Sequence, residues 1–555
     1  MNETSESHPI WEPNGQAAAP SAVQGLGFQI GQRVHAVGNP RRIGTVRYVG
    51  AVEGYAGDWV GVDWDDGEGK HDGSLGGVRY FSGSGHSSGS FVRPKNLSAG
   101  ISFLEGLHLR YRGDSTKEEE DEMYVYSTSQ KRVSIEFVGK NKIQEKLNHF
   151  KELIGASVSN LGVSSVEPFN EINAIVPNLK ELDLTGNLLS RWQDIGTLCE
   201  GLPALEILNL TNNLMSCDIP KLPSLASIRV LVLNNCSITW NLVEKLQESL
   251  PVIEELHLME NKIRTIGPEA SNFVKGFDSL RLLNLEENSI DSWHEILKLS
   301  YLRSLEELHL SGNKLKHISY PFDHKRPDIP NDYDKQDTSI RPFENLQILL
   351  LGSNEIDDLA SIDSLNLFPR LMDIRLSENP IVDPTKGGLP RFVLIARLAK
   401  IKMLNGSEVE SKIFEQFRYV RLVMAKMQLD DMEEIKRVHP RFIELKALHG
   451  IADEKPPSGM AGPQKMSSGL ICITLKCVGA SMGEKPPLTK KLPPTTTVGK
   501  LKVLCESFFK LKDIRLKLLI QEEGSPFPLL LDDDMAPLVD LGVGTGATIL
   551  VGEES

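Results

Sequence analysis

Nine copies of one template, Leu-x-x-Leu-x-Leu-x-x-Asn-x-Leu, constrain this chain more than any other feature. The template is met from Leu179 (with Leu182, Leu184, Asn187 and Leu189) and returns from Leu205 (Met215 in the last place), Ile228 (Cys236 in place of Asn), Ile253, Leu280, Leu305, Leu346 and Leu371; a degenerate copy starts at Leu153. Successive starts lie 26, 26, 23, 25, 27, 25, 41 and 25 residues apart. Two leucines flanking a single residue point to the same side of a short strand, and the later apolar residue closes the turn beneath. An asparagine amide is both donor and acceptor, so at a fixed offset it pairs backbone groups between neighbouring coils that an apolar side chain would orphan. No copy can bury its apolar edge alone, so the copies must stack.

The period and template are those of leucine-rich repeats and predict an α/β solenoid over residues 149–389. The one long interval is an insertion of about sixteen residues within 317–342. Residues 390–450 lack the template and read as a helical terminal cap. Positions beside the inward leucines face outward. Ile207, Val230, Val232 and Leu282 are apolar there, among Glu255, His257 and Glu307, with Glu181 and Asp183 nearby. An apolar patch of this kind marks a partner site. His257 and His309 lie two coils apart, too far to share a metal.

Composition shifts on either side of the repeats. Between Phe28 and Lys95, 68 residues hold 15 of the 46 glycines, together with Trp59, Trp64, Tyr80, Phe81 and Phe91. Glycines between short β-prone runs indicate a small all-β unit with tight turns. Residues 1–26 are a polar, flexible N-terminus, 27–98 the glycine-rich domain, and 99–148 a linker with the N-terminal cap of the repeats. Within that linker, Lys117 to Glu122 is strongly acidic. A Pro/Gly-rich linker at 451–468 precedes a last domain, 469–555, whose hairpin, helix and further strands follow an α+β order.

The glycine-rich unit resembles the CAP-Gly domain, in Gly44-Thr-Val, Gly57-Asp-Trp-Val-Gly-Val-Asp, Gly69-Lys-His-Asp-Gly, Tyr80-Phe and Gly89-Ser-Phe-Val. The resemblance implies a small β-barrel whose Gly-Lys-Asn-Asp-Gly loop, beside an aromatic groove, binds acidic-aromatic C-terminal tails such as that of α-tubulin. It assigns Trp59, Gly69, Lys70, His71, Asp72, Gly73, Phe81 and Phe91 to peptide binding, with His71 where the family has Asn. The chemistry is self-consistent. Lys70 is a cation for carboxylates, loop N–H groups freed by Gly69 and Gly73 are expected as further donors, and Trp59, Phe81 and Phe91 are expected to wall a slot for a ring. If His71 touches the ligand, affinity should change between about pH 6 and 7.5.

The last domain resembles the ubiquitin-like (β-grasp) fold, and the chain's Val551-Gly-Glu-Glu-Ser ending lacks the Gly-Gly that conjugation needs. CAP-Gly, leucine-rich repeats and ubiquitin-like domain, in that order, resemble the tubulin-folding cofactor E family. That resemblance implies a chaperone of α-tubulin that works with other tubulin-folding cofactors to assemble or dissociate the αβ heterodimer. Proteasome or ubiquitin-pathway proteins are a further class of partner. The alternative is a microtubule plus-end or ubiquitin/proteasome-pathway adaptor, although no long heptads for dimerisation occur.

Net charge bounds the rest. At −14 the chain is a poor non-specific nucleic-acid binder. The stretch from Phe28 to Lys95 carries 8 Lys/Arg against 7 Asp/Glu, near +1, which leaves the remainder near −15. Six scattered cysteines form no Cys-x-x-Cys pair, and no phosphate loop, His-Glu-x-x-His or Gly-x-Ser-x-Gly motif occurs. No enzyme activity, cofactor or metal is expected. The N-terminus lacks the pattern of a signal peptide and no apolar run is long enough for a membrane span, so the expected location is cytoplasmic and cytoskeleton-associated. Asn-x-Ser/Thr triplets such as Asn405-Gly-Ser are read as chance.

Overall fold

Short β-prone runs and in-register repeats set the architecture. The computed structural model describes residues 27–112, 124–126, 132–134, 150–219, 221–267, 273–321, 341–409, 412–426, 432–451, 470–478, 485–511, 515–521, 528–531, 534–538, 541, 543 and 546–553. The expected flexible N-terminus, the acidic stretch, most of the 451–468 linker and the middle of the 317–342 insertion lie outside them. The chain divides into two compact units, Met1–Ile228 and Arg229–Ser555. Within them the layout is multidomain.

In the first unit, strands β1 (Arg33–Ala36), β2 (Asn39–Val52), β3 (Tyr55–Trp64), β4 (Gly89–Val92) and β5 (Leu97–Ser98) form an antiparallel sheet in the order β4-β3-β2-β1-β5. Valine-rich alternation sends Val34, Val46, Val60, Val62, Trp64 and Leu97 to one face, where they form a shared core. Helix α1 (Phe103–Arg112) follows and buries Phe103, Leu104, Leu107 and Tyr111. Its Leu104 N–H donates to the Glu167 carboxylate at 3.1 Å, and Ser157 N–H donates to the Tyr111 hydroxyl at 2.8 Å. The helix thus covers the first coil of the repeats, whose strands Gly155–Ser157, Glu181–Asp183 and Ile207–Asn209 pair parallel in register.

In the second unit, parallel strands run from Val230–Val232 to Asp373–Arg375, with Leu231, Leu256, Leu283, Leu308, Leu349 and Ile374 aligned and buried. Asparagines join the coils as their spacing predicts. Asn288 Nδ2 donates to Leu258 O and Leu285 O at 2.9 and 3.0 Å, while its Oδ1 accepts from Asn261 N and Ile263 N at 3.1 and 2.9 Å. The residue just before that position is left-handed in every copy: Asn160, Gly186, Asn212, Asn235, Glu260, Glu287, Gly312, Ser353 and Glu378 all have φ between 50° and 70°. Ile318 and Tyr320, at the start of the expected insertion, are buried and belong to the core instead.

The segment after Leu389 is not helix alone. Met403–Leu404 adds one more parallel strand beside Asp373–Arg375, then Asn405-Gly406 (φ 52° and 76°) reverses the chain so that Ser407–Glu408 pairs antiparallel. Two successive positive φ values are those of a type I′ hairpin turn, which Asn-Gly favours. The template ends because this turn replaces its second half, and Asn405 Oδ1 accepts from Leu376 N at 2.6 Å. Helices Arg391–Arg397, Lys412–Lys426, Met432–Val438 and Phe442–Leu448 then close the repeats around Phe392, Ala396, Tyr419, Val423 and Phe442. Buried Arg397 is paired with Asp363 at 2.6 Å. The Tyr419 hydroxyl lies 2.8 Å from His439 Nδ1, and burial, with Arg397 nearby, pushes His439 down to about 4.

An unfolded histidine takes its proton near 6.5, so this site's stability is intact above that pH. It is lost as pH falls from 6.5 to about 4. Urea midpoints of the full chain should therefore drop between pH 7 and pH 5, and His439→Gln should shrink that drop.

The C-terminal domain is a five-stranded mixed sheet, ordered Leu488–Leu492, Ile471–Cys477, Thr548–Glu553, Leu516–Gln521, Leu529–Leu531. The helix Val498–Phe509, capped by Thr497, packs Val498, Leu501 and Cys505 onto its inner face.

Candidate functional site

The outer face of β3 builds the site. Val60, Val62 and Trp64 enter the core, so Trp59, Gly61 and Asp63 face the other way. A Cβ on Gly61 would come within 2.5 Å of the Phe81 ring; its absence lets that ring lie against the strand. Phe91 is the cross-strand partner of Gly61. Its ring stands edge-on to Phe81 (centroids 5.6 Å apart), Tyr80 (5.2 Å) and Tyr48 (6.0 Å), and lies 4.9 Å from the His71 imidazole. Phe81 is only 7% exposed and forms the floor. Phe91, Tyr80, Tyr48 and His71 are half-buried and form the walls of a notch. Hydrogen bonds hold the two tyrosines: the Tyr48 hydroxyl donates to Ala51 O at 2.5 Å, and Glu53 N–H donates to the Tyr80 hydroxyl at 2.9 Å.

The loop from Gly69 to Gly73 borders the notch. Lys70 N and His71 N both donate to Gly89 O, at 2.7 and 3.1 Å, and Gly89 N donates back to His71 O at 2.7 Å. Gly73 has φ 99°, and a Cβ there would lie 2.1 Å from Phe81 O. Its N–H donates to His71 Nδ1 at 3.0 Å, which places the histidine's own proton on Nε2. The Asp72 carboxylate accepts from Ser74 N at 3.0 Å and pairs with Arg79 at 2.7 Å; these bonds hold it below the usual carboxylate range. The loop N–H groups of Lys70, His71, Gly73 and Ser74 are therefore consumed internally, contrary to the expectation that they face a ligand. The exposed Lys70 side chain is left as the loop's cation. Burial also lowers the His71 pKa below 6.5, which moves this histidine's titration toward more acid pH than that of an ordinary histidine.

Of the residues assigned to the slot, the structure brings His71, Phe81 and Phe91 together and lays Gly69, Asp72 and Gly73 along the edge. Trp59 shares the face but not the cluster. Its ring is covered by the Arg93 guanidinium, 3.7 Å from the ring centroid, and stands edge-on to Tyr55 at 6.0 Å. Tyr48, Tyr80 and Arg93 are parts of this face that the motif does not assign to binding.

The outward repeat positions divide between the units. Ile207 lies in the first. In the second, Val230, Glu255, Leu282 and Glu307 stand in register, and Val232 and His257 occupy the next row. The apolar members are half-buried rather than exposed, because strand neighbours about 4.8 Å away shield their flanks. Among the described residues, no three His, Cys, Asp or Glu side chains gather to hold a metal, and no helix is long and apolar enough to cross a membrane.

A family model for the CAP-Gly domain matches residues 30–97. Tubulin-folding cofactor E of Arabidopsis thaliana is 58% identical over 531 residues, spanning 95% of this chain and 98% of its own. Tubulin-specific chaperone E of Danio rerio is 32% identical over 535 residues, spanning 92% and 96%. Among solved structures, the C-terminal ubiquitin-like domain of mouse tubulin-specific chaperone e is 28% identical over 18% of this chain and 96% of its own, with a TM-score of 0.14. With 58% identity maintained over almost the full length of both chains, this chain belongs to the tubulin-folding cofactor E family.

Proposed function

We propose that this chain is a tubulin-folding chaperone that holds the acidic C-terminal tail of α-tubulin in the Phe91 notch and a folded tubulin surface on the outward repeat face. With other tubulin-folding cofactors it joins or parts the α and β subunits. The observation that carries the reading is the ring cluster centred on Phe91 with Lys70 at its edge. A tail ending in an aromatic offers one ring and several carboxylates, and the notch offers ring walls and a cation. An acidic tail is repelled by most of a chain of net charge −14 and tolerated by the near-neutral stretch from Phe28 to Lys95. Two tethered contacts on one client raise effective concentration, with gains of roughly 10²–10⁴.

In this reading the antiparallel sheet is a small barrel, the parallel sheets are a leucine-rich-repeat solenoid, and the domain limits follow the composition shifts at 98, 148, 389, 450 and 468. The protein acts through binding energy, favouring one assembly state over another, in the cytoplasm beside the cytoskeleton. The ubiquitin-like domain gives a second docking point, for proteasome or ubiquitin-pathway proteins.

Titration with an α-tubulin tail peptide tests the notch. Removal of the terminal aromatic should weaken binding, and Lys70→Glu should weaken it about tenfold while flattening its salt dependence. Val232→Asp with Leu282→Asp should reduce capture of whole tubulin and leave peptide affinity unchanged. Unaltered capture by that folded variant would remove the repeat face from the mechanism.

A further inference from the structure

The parallel sheet of the second unit carries a regular chemical pattern. One row across it reads Val230, Glu255, Leu282, Glu307, Ile348, Asp373, in register on six strands. Apolar and acidic residues alternate throughout. Strands lie about 4.8 Å apart, so contacts of the two kinds alternate at that interval and like contacts recur every ~9.6 Å.

The carboxylates on this row are available for a partner. The Glu255 and Glu307 side chains are 44% and 37% exposed. The histidines beside them, His257 and His309, lie 3.5 and 3.6 Å away. Burial holds His257 below its ordinary pKa, so at neutral pH it does not cancel its neighbour. The adjoining cations Arg229 and Arg281 are paired with Glu254 and Glu306. Asp373 is partly desolvated, which raises its pKa and favours a cation brought to it.

A matching ligand must present apolar and cationic groups alternately, about every 5 Å along a line crossing the strands. A helix does this: residues at i, i+3, i+7 and i+10 share one face and advance ~5 Å per step at 1.5 Å per residue. An extended strand repeats on one side every ~6.7 Å and falls out of step by almost 2 Å at each contact. We infer that this face receives an amphipathic α-helix whose contact stripe alternates apolar residues with Lys or Arg. The inference rests on the reading of this face as the client-holding surface and names the element of the client that it grips.

The test uses the full chain and a 21-residue alanine-based helical peptide with Leu and Lys alternating at those positions. An isomer of the same composition, with Leu and Lys on opposite faces, is the comparison. Fluorescence anisotropy should show tighter binding of the alternating peptide, weakening with salt. Glu255→Gln with Glu307→Gln should reduce that affinity about tenfold at an unchanged urea midpoint. Equal binding of the two isomers, or wild-type affinity in the glutamine variant, would overturn the inference. Capture of whole tubulin by Val232→Asp/Leu282→Asp is a separate measurement, so failure of the helix and failure of the client-holding face are told apart.

Discussion

Phe91→Ala should lower affinity for an acidic tail peptide ending in an aromatic by about a hundredfold, measured by calorimetry or anisotropy on the full chain. Phe91 is the ring that touches Phe81, Tyr80, Tyr48 and His71, so its removal opens the notch from the centre. The loss should be local. The core of this sheet, built on Val34, Val46, Val60 and Val62, lies on the opposite face and does not include Phe91. Near-wild-type melting with lost peptide binding is the expected pair of results; retained binding would refute the notch. Trp59→Ala should have a smaller effect, because its ring is already engaged by Arg93 rather than by the cluster.

Asn288→Leu should destabilise the repeats by about 4 kcal/mol, seen as a lower urea midpoint, although the new side chain has similar size. The amide donates to three carbonyls, of Leu258, Leu285 and Glu286, and accepts from two N–H groups, of Asn261 and Ile263. Each buried group left without a partner costs ~1–3 kcal/mol, and the losses are not fully additive. The neighbouring residue gives a control of opposite sign. Glu287 has φ 52°, a conformation that costs a side-chain-bearing residue ~1–2 kcal/mol, so Glu287→Gly should stabilise by roughly 1 kcal/mol. A loss under about 1 kcal/mol for Asn288→Leu would mean the coils are held by leucine packing alone.

The repeats were legible because their signal is doubled. Leucine spacing places the inward residues, and asparagine spacing places the bonds between coils. Leu256, Leu283 and Leu308 align as the template requires, with Asn261, Asn288 and Asn313 buried at the junctions. The left-handed position was hidden, because only two of its nine residues are glycine. The final parallel strand was hidden too, since Met403–Leu404 keeps just the first half of the template; Asn405-Gly406 was the available turn signal.

At the notch, the ring residues Phe81 and Phe91 could be read from the motif, but the company they keep could not. Strict alternation would put Tyr48 on the same side as Val46, in the core. A bulge between them shifts the register, so that Val46 pairs with Val62 and Tyr48 with Gly61. Bulges of this kind leave no mark in periodicity. The engagement of the Lys70 and His71 N–H groups was equally hidden, because their acceptor, Gly89 O, comes from a later strand that local spacing around the loop does not reveal. Gly89 meets His71 there in an isolated antiparallel bridge.

The reversal at Asn405-Gly406 has a consequence for molecules in company. A parallel ladder left open at its last rung invites another copy to continue it, as filaments do. Here the chain folds back and occupies that rung itself, in the opposite direction, so the last parallel strand presents no open edge to a like neighbour. Continuation of the ladder by a second copy through Met403–Leu404 is thereby blocked.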